Sequence, residues 1–302
     1  MNFRAVACSF VARLQSRSLS RLLYELRTLF RPSLHAIVAV TFRCNYHGLC
    51  PYCHLQDLGL PSRYPSDLPF REFLSFLQDL PPCTLDLTGG EPFLARGFRE
   101  FLGSIPRKHR VAVATNLSFP PEEFAEVLGR FCHITASYHP HAVELGTFLE
   151  RLERLRSLNP KISVNLVAHP SLLPSLKEYL RIFNRRGIPV HVDPYVNPLS
   201  PYSPEERELV RGALVSRREV EFPFGQERRW CTAGTNHFAV APNGDVYTCW
   251  QGMMWSHLLS LREPYYLGNL LEGNFSLRKE GILCELPCPS GCDLDYVRWR
   301  AA

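Results

Sequence analysis

The sequence predicts an α/β fold, a partial (β/α)6 TIM-like barrel followed by a small cysteine-rich C-terminal domain, and three observations predict it. Short β-rich runs alternate with amphipathic stretches of helical spacing from His35 to Asp193, the pattern of parallel strands joined by crossover helices. After Asp193 the texture changes to a proline-rich loop, a charged helix to about Val220, and glycine- and cysteine-rich sequence. Eight of the 11 cysteines fall in two clusters, one directly after the first strand and one near the C-terminus.

The predicted strands are Ala36–Phe42, Thr84–Thr88, Arg110–Thr115, His133–Ser137, Lys161–Ala168 and Ile188–Asp193. Each is short, rich in β-formers and bounded by turn residues. Between them, Asp67–Leu80, Ala95–Ile105, Pro121–Arg130, Val143–Leu158 and Leu172–Arg186 carry helical periodicity, several with Pro, Ser or Asp start signals. Six βα units make an incomplete barrel, whose chemistry belongs at the C-terminal ends of its strands. Three segments follow: a lead-in helix over 1–34, the barrel over 35–220 and the cysteine-rich domain over 221–302. In the lead-in, Leu22, Leu23, Leu26 and Phe30 share an apolar face, while the first 23 residues hold four arginines and no acid. That composition reads either as a basic amphipathic helix or as an organelle transit peptide.

With 302 residues, 45% hydrophobic and 21% charged, the composition is that of a globular chain able to bury a large core. A net charge of +5 from 34 basic and 29 acidic side chains is too slight to argue for nucleic acid. The apolar run Ala5–Ala12 is cut by Arg13, too short for a signal peptide. No stretch has the length of a membrane span. These readings give an expectation of a cytoplasmic protein with reduced thiols, so the cysteines call for metal or catalysis rather than disulfides. Cys8, Cys83 and Cys132 stand apart from the clusters and read as core residues.

The first cluster is Cys44-Asn-Tyr-His-Gly-Leu-Cys50-Pro-Tyr-Cys53, three thiols within ten residues at a strand tip. Such a set suits a soft metal, and three ligands leave a fourth corner of an iron–sulfur cubane open. Zinc with His47 or His54 as fourth ligand is the alternative, although the paired spacing usual for zinc is absent. The next strand ends in Thr88-Gly89-Gly90-Glu91-Pro92. Consecutive glycines permit close backbone approach, and a glutamate can take an ammonium group.

These two stretches resemble the radical S-adenosylmethionine superfamily, with its Cys-x3-Cys-x2-Cys loop after the first strand, an aromatic before the last cysteine, and a GGEP motif on the second strand. Tyr52 fills the aromatic position, while five residues rather than three separate Cys44 from Cys50. The resemblance implies that Cys44, Cys50 and Cys53 hold a 4Fe-4S cluster. It implies that Tyr52, Gly89, Gly90, Glu91, Pro92, Asn116, Ser137 and Asn165 bind S-adenosylmethionine, with Glu91 on the methionine ammonium. In the superfamily the reduced cluster cleaves the cofactor to a 5′-deoxyadenosyl radical, which abstracts hydrogen from a substrate.

The C-terminal segment brings Cys231, a Pro242-Asn243-Gly244-Asp245 hairpin turn, Cys249, and then Cys284, Cys288 and Cys292. It resembles the SPASM and twitch auxiliary-cluster domains, in which a similar opening ends in Gly-x4-Cys, here Gly244 and Cys249. That likeness implies a second 4Fe-4S cluster on Cys231, Cys249, Cys288 and Cys292, with Cys284 as alternate ligand. A zinc ribbon remains the other reading of these thiols. Candidates for proton transfer at later strand tips are Tyr138, His139 and His141, then His169, then Asp193 and Tyr195.

The implied function is an oxidoreductase-like radical enzyme acting on a small molecule, with ferredoxin or flavodoxin as electron donor. Two alternatives stand beside it: a maturase of ribosomally made peptides, and a non-catalytic metal-stabilised binding protein. Only about 34 residues precede the first strand, which favours the small molecule, since peptide maturases often carry a leader-binding domain there.

Overall fold

Strand β1, Leu34–Thr41, is buried along its whole length and runs through the middle of a nine-stranded sheet. In the computed structural model, which describes residues 34–195, 202–213, 229–255, 262–286 and 299–301, five parallel strands follow it. These are β2 (Cys83–Gly89), β3 (Arg110–Thr115), β4 (Phe131–Ser137), β5 (Ile162–Ala168) and β6 (Val190–Pro194). Each pairs with its predecessor in sequence. The connections hold α1 (His54–Asp57), α2 (Leu60–Arg63), α3 (Phe70–Asp79), α4 (Phe98–Ser104), α5 (Ala125–Leu128), α6 (Leu145–Leu158) and α7 (Leu173–Arg185). This is the partial barrel that the alternation predicts.

Alternation also decides what each face does. Leu85, Val113, Ile134 and Val164 point outward into one core with Phe73, Phe101, Phe148, Leu152 and Phe183 of the covering helices. The inward residues between them are only half-buried, as the strict buried and half-buried alternation along β5 shows. β1 has no such alternation because both of its faces are covered.

Its second cover comes from the C-terminal segment. Strand β8 (His237–Val240) lies parallel to β1, with His35 opposite His237. β9 (Asp245–Tyr247) and β10 (Tyr266–Asn269) extend the sheet antiparallel. β7 (Arg229–Cys231), β11 (Ile282–Cys284) and β12 (Trp299–Ala301) form a separate three-stranded sheet. Helix α8 (Pro204–Ala213) precedes these strands and α9 (Trp250–Trp255) follows β9. Ile37 and Ala39 of β1 pack with Ala239, Tyr247, Met253 and Trp255 in a second core on the concave side. The described residues from Leu34 onward form one compact unit, and the boundary expected near 220 lies outside the described residues, as do the lead-in helix and Cys8.

Two local expectations shift. The helix expected over Pro121–Arg130 is a 3-10 turn, Pro121–Phe124, followed by the single turn α5. Pro120 and Pro121 constrain its start and Gly129 follows its end. The charged helix is described only to Ala213. Cys83 is fully buried, whereas Cys132 is only half-buried. No helix among the described residues is long and apolar enough to cross a membrane.

Phe238 of β8 is fully buried in the main core, its ring 5.3 Å from Phe275. Phe238→Ala should therefore cost about 3–5 kcal/mol in urea unfolding followed together by tryptophan fluorescence, whose four reporters all lie in the C-terminal segment, and by circular dichroism. Coincident transitions are expected, because β8 is part of the barrel sheet.

Candidate active site

Beyond Thr41 the chain folds the first cysteine cluster into successive turns. His47 N donates to Cys44 O at 3.2 Å, Leu49 N to Tyr46 O at 3.0 Å and Cys53 N to Cys50 O at 3.2 Å. Gly48 sits at φ +80° and its N–H donates to Gln56 Oε1 at 3.0 Å. These turns absorb the long first gap and return Cys50 to the neighbourhood of Cys44. Burial, with Cys53 and then Cys44 adding to it, pushes the Cys50 thiol up to about 12. Cys44 is raised by burial, with Glu91 and Cys53 adding to it.

Three thiols that repel one another as thiolates and lie half-buried ask for a shared positive centre. Among the described residues no three histidine, cysteine or acidic side chains stand together as a site for one metal ion. A cubane carries its irons at separate corners and takes thiolates spread around it, so the donor set fits a cluster better than a single zinc. His54, the candidate fourth zinc ligand, stacks on Tyr195 with ring centroids 4.9 Å apart.

The glycine pair lies against the backbone of the strand and loop before the first cysteines. A Cβ on Gly89 would sit 2.0 Å from Thr41 O, and one on Gly90 2.1 Å from Arg43 O. Gly90 N donates to Thr41 O at 2.7 Å and Glu91 N to Arg43 O at 2.8 Å. The close approach is therefore to the backbone entering the cysteine loop. Glu91 likewise turns inward, with no exposure at all. Its Oε1 accepts from Phe93 N (3.2 Å) and Thr115 Oγ1 (2.9 Å), and Oε2 from Asn116 N (2.6 Å). Burial raises its carboxyl to about 7 in spite of these three donors. Both oxygens being used within the protein, Glu91 fixes the tips of β2 and β3. Asn116 carries the connection onward, donating from Nδ2 to Asn45 Oδ1 at 3.0 Å and approaching Cys44 Sγ at 3.7 Å. Pro92 is buried at the start of a 3-10 turn.

Tyr52 is 5% exposed and meets His139 Nδ1 through its hydroxyl at 3.1 Å. Its ring also contacts His141 and His169, and His169 meets Tyr195 edge-on. Burial, and then His141, brings His139 down to about 4, so it is a neutral imidazole. Tyr138 faces the other way, buried among Phe148, Tyr179 and Phe183 under the helices. It is one residue out of phase with His139, and the strand's alternation takes it out of the site.

Ser137 ends β4 and lies opposite Asn165. Asn165 Nδ2 donates to Asp193 Oδ2 at 2.8 Å, and His191 Nε2 donates to Asp193 Oδ1 at 2.9 Å. Burial would raise the Asp193 carboxyl, but these hydrogen bonds hold it below the ordinary range. His191 and the hub Asn45 were not among the residues the sequence singled out. The His-x-Asp spacing on β6 places both side chains on one face and was the available signal for His191.

Cys231, Cys249 and Cys284 gather in the second core. Cys231 Sγ accepts from Ala233 N at 3.4 Å and Cys249 Sγ from Gly252 N at 3.2 Å. Cys284, expected only as an alternate, is as buried as the other two. Cys288 and Cys292 lie outside the described residues.

No family model matches the chain. Two curated relatives from Halobacterium salinarum, named probable GTP 3′,8-cyclase, are 32% identical over 99 residues, which is 30% of this chain. The match spans only 27% of the length of those relatives. Among solved structures, native anSMEcpe with bound AdoMet superposes with a TM-score of 0.57 at 16% identity, over 80% of this chain and 79% of that one. SuiB of Streptococcus suis bound to its precursor peptide SuiA gives 0.54 at 14%, over 80% and 63%. Both neighbours are radical S-adenosylmethionine enzymes, and the chain has their fold.

Glu91 should leave a mark on stability. Its folded value, about 7, lies above the ordinary 4.5, so the folded chain keeps a proton that the unfolded chain has released. Its contribution to stability falls as pH rises from about 4.5 to about 7. Glu91→Gln should remove that part of the slope in denaturation measured across this range, while lowering stability overall because an amide turns a donor toward one of the three donors. An unaltered slope would mean that Glu91 is not the titrating group.

Proposed function

We propose that this chain is a radical S-adenosylmethionine enzyme that cleaves its cofactor reductively and modifies a small molecule. The observation that carries the reading is a conjunction at one end of the barrel. Three mutually repelling thiols on the β1 loop are joined through Asn116 to the Gly89–Glu91 turn. Cys44, Cys50 and Cys53 would hold a 4Fe-4S cluster with one iron left for the cofactor's amino and carboxylate groups. When bound and reduced, that cluster supplies the electron that splits S-adenosylmethionine into methionine and the 5′-deoxyadenosyl radical that takes hydrogen from the substrate.

The residues themselves bind and orient. With Glu91 engaged inside the protein, the cofactor's ammonium falls to main-chain carbonyls of the Gly89–Pro92 turn. Asn165 gives its amide N–H to a carboxylate, so its Oδ1 must be an acceptor, and among the described residues that buried atom has no partner. A buried acceptor left open costs about 1–3 kcal/mol, which supports a ribose hydroxyl there, beside Ser137. Tyr52 packs beneath the loop on His139 and keeps water from that side. His139, neutral, and the His191–Asp193 pair are the proposed groups for moving protons at the substrate.

Cys231, Cys249 and Cys284, with Cys288 and Cys292, are the proposed ligands of a second cluster. Backbone N–H groups directed at Cys231 and Cys249 sulfurs favour thiolates there. Ferredoxin or flavodoxin would deliver the reducing electron. A second reading, modification of a ribosomal peptide, is favoured by the SuiB neighbour, whose structure contains its precursor peptide.

Anaerobically reconstituted protein should bind about eight irons and release 5′-deoxyadenosine when reduced. Cys50→Ala should give no such product, and Cys249→Ala should leave about four irons. Asn165→Leu should weaken cofactor binding roughly tenfold with iron content unchanged. Full iron loading without any 5′-deoxyadenosine would leave the non-catalytic, metal-stabilised alternative standing instead.

A further inference from the structure

The inward side chains of the barrel strands stack in layers, and the layer directly below the proposed ribose contacts is made of small residues. Ser137 and Asn165 stand opposite each other at the ends of β4 and β5. Two residues earlier on the same faces, Thr135 stands opposite Ser163 and Ala114 opposite Thr135. Leu87 pairs with Val113, which sets Thr88 beside Ala114. The layer therefore reads Thr88, Ala114, Thr135 and Ser163 across β2 to β5. In a closed barrel such layers are filled by bulky branched side chains that meet inside it. Here none of the four is larger than threonine, and all four are half-buried. These strands do not fill their own interior at this level.

The three hydroxyls differ in how they are engaged. Ser163 Oγ meets His133 Nε2 at 2.8 Å. Those of Thr88 and Thr135 are neither enclosed nor hydrogen-bonded among the described residues. On β1 the layer ends at Ala39, opposite Thr88 and fully buried in the second core, so the open stretch runs from Thr88 to Ser163. No charge stands in it. Burial lowers His133 below the ordinary imidazole range, against the pull of Asp86, and leaves it neutral. The charged groups lie deeper. Asp86, one layer down and 37% exposed, accepts from His35 Nε2 at 2.7 Å, and His35 Nδ1 meets His237 Nδ1 at 2.8 Å. Arg110 faces Thr84 at the start of β3, four residues below Thr88 and roughly 13 Å along the strand, and is exposed there.

We propose that Thr88, Thr135 and Ser163 bind hydroxyl groups of an uncharged, polyhydroxylated ring, the substrate of the radical reaction. A threonine or serine hydroxyl both gives and takes a hydrogen bond, which a substrate hydroxyl reciprocates. An apolar chain would cover these hydroxyls and leave them without partners, which costs binding at each one. A phosphate or carboxylate finds no cation in the layer and meets the Asp86 carboxylate beneath it. Thr88 and Thr135 are two strand spacings apart, roughly 10 Å. One hydrogen bond at each end shortens this to a span that hydroxyls on opposite sides of a six-membered ring bridge. The layer lies two residues, roughly 7 Å along the strands, below Ser137 and Asn165, so the ring sits against the proposed ribose site. The assignment deepens the proposed function and rests on it in one respect, that the inward face of the barrel is where the substrate lies.

Saturation-transfer NMR on the reconstituted full chain reads the binding of four probes: myo-inositol, methyl α-D-glucopyranoside, cyclohexanol and myo-inositol 1-phosphate. The 5′-deoxyadenosine formed is quantified in the same samples. At least one uncharged polyol should bind, and cyclohexanol and the phosphate should bind at least about tenfold more weakly. Thr135→Val, which removes the hydroxyl and keeps the branch, should weaken the polyol by a similar factor, and Thr88→Val should act alike. Thr135→Ser keeps a hydroxyl and should retain binding. Preference for inositol would assign the ring to cyclitols, preference for the glucoside to sugars, and both support the proposal. Binding of neither polyol, equal or tighter binding of cyclohexanol or the phosphate, or polyol binding that both valine variants leave intact would overturn it. Polyol binding without any 5′-deoxyadenosine would count against the enzyme reading and leave the hydroxyl layer standing.

Discussion

A carboxylate with no exposed surface, Glu91, holds the tips of β2 and β3 together, and the candidate site depends on that one tie. Its oxygens engage the backbone of both strand ends, and Asn116, whose N–H it accepts, reaches the loop of Cys44. The glycines beside it do the complementary work of letting β2 close on Thr41 and Arg43 without a side chain between. Three separate loops are thus fixed at the level of backbone hydrogen bonds. The thiols of Cys44, Cys50 and Cys53 are brought into mutual range by a loop whose two flanks are already anchored.

The second constraint is the asymmetry of the concave face. At β1, β8 and β9 it is filled by an apolar core that contains Cys231, Cys249 and Cys284. Toward β6 it is polar and half-buried, with hydrogen-bonded pairs such as His191 and Asp193. Among the described residues, the C-terminal segment therefore covers one side of the barrel and leaves the other half-buried. That division puts the second group of thiols on the same side of the sheet as the inward-facing polar residues. His237 extends the dependence, because the position of the Asp86 carboxylate traces back to a residue of this segment.

Much of this was legible in sequence. β3 has the predicted bounds, Arg110–Thr115, and the other barrel strands differ only at their ends, since period-two burial and flanking turn residues are local signals. The hairpin at Pro242–Asp245 and the clustering of the first three cysteines were readable for the same reason. What escaped depends on contacts distant in sequence. His35 and His237 are 202 residues apart, and neither carries a motif. The close approach of Gly89 and Gly90 to the backbone of Thr41 and Arg43 is another contact that no local pattern specifies. Tyr138 and His139 were equal candidates until the pleat of β4 put them on opposite faces. Cys284, expected as the alternate ligand, is brought near Cys231 by the pairing of β11 with β7, a contact between distant segments, while Cys288 and Cys292 lie outside the described residues.

The most direct test of the central claim is the electron paramagnetic resonance spectrum of the reduced, reconstituted chain with and without S-adenosylmethionine. An iron with an open position, held by Cys44, Cys50 and Cys53, predicts a 4Fe-4S signal whose line shape changes when the cofactor is added and which is missing from Cys44→Ala. A spectrum indifferent to saturating cofactor, or a chain that takes up zinc at these thiols and gives no cluster signal, would contradict it.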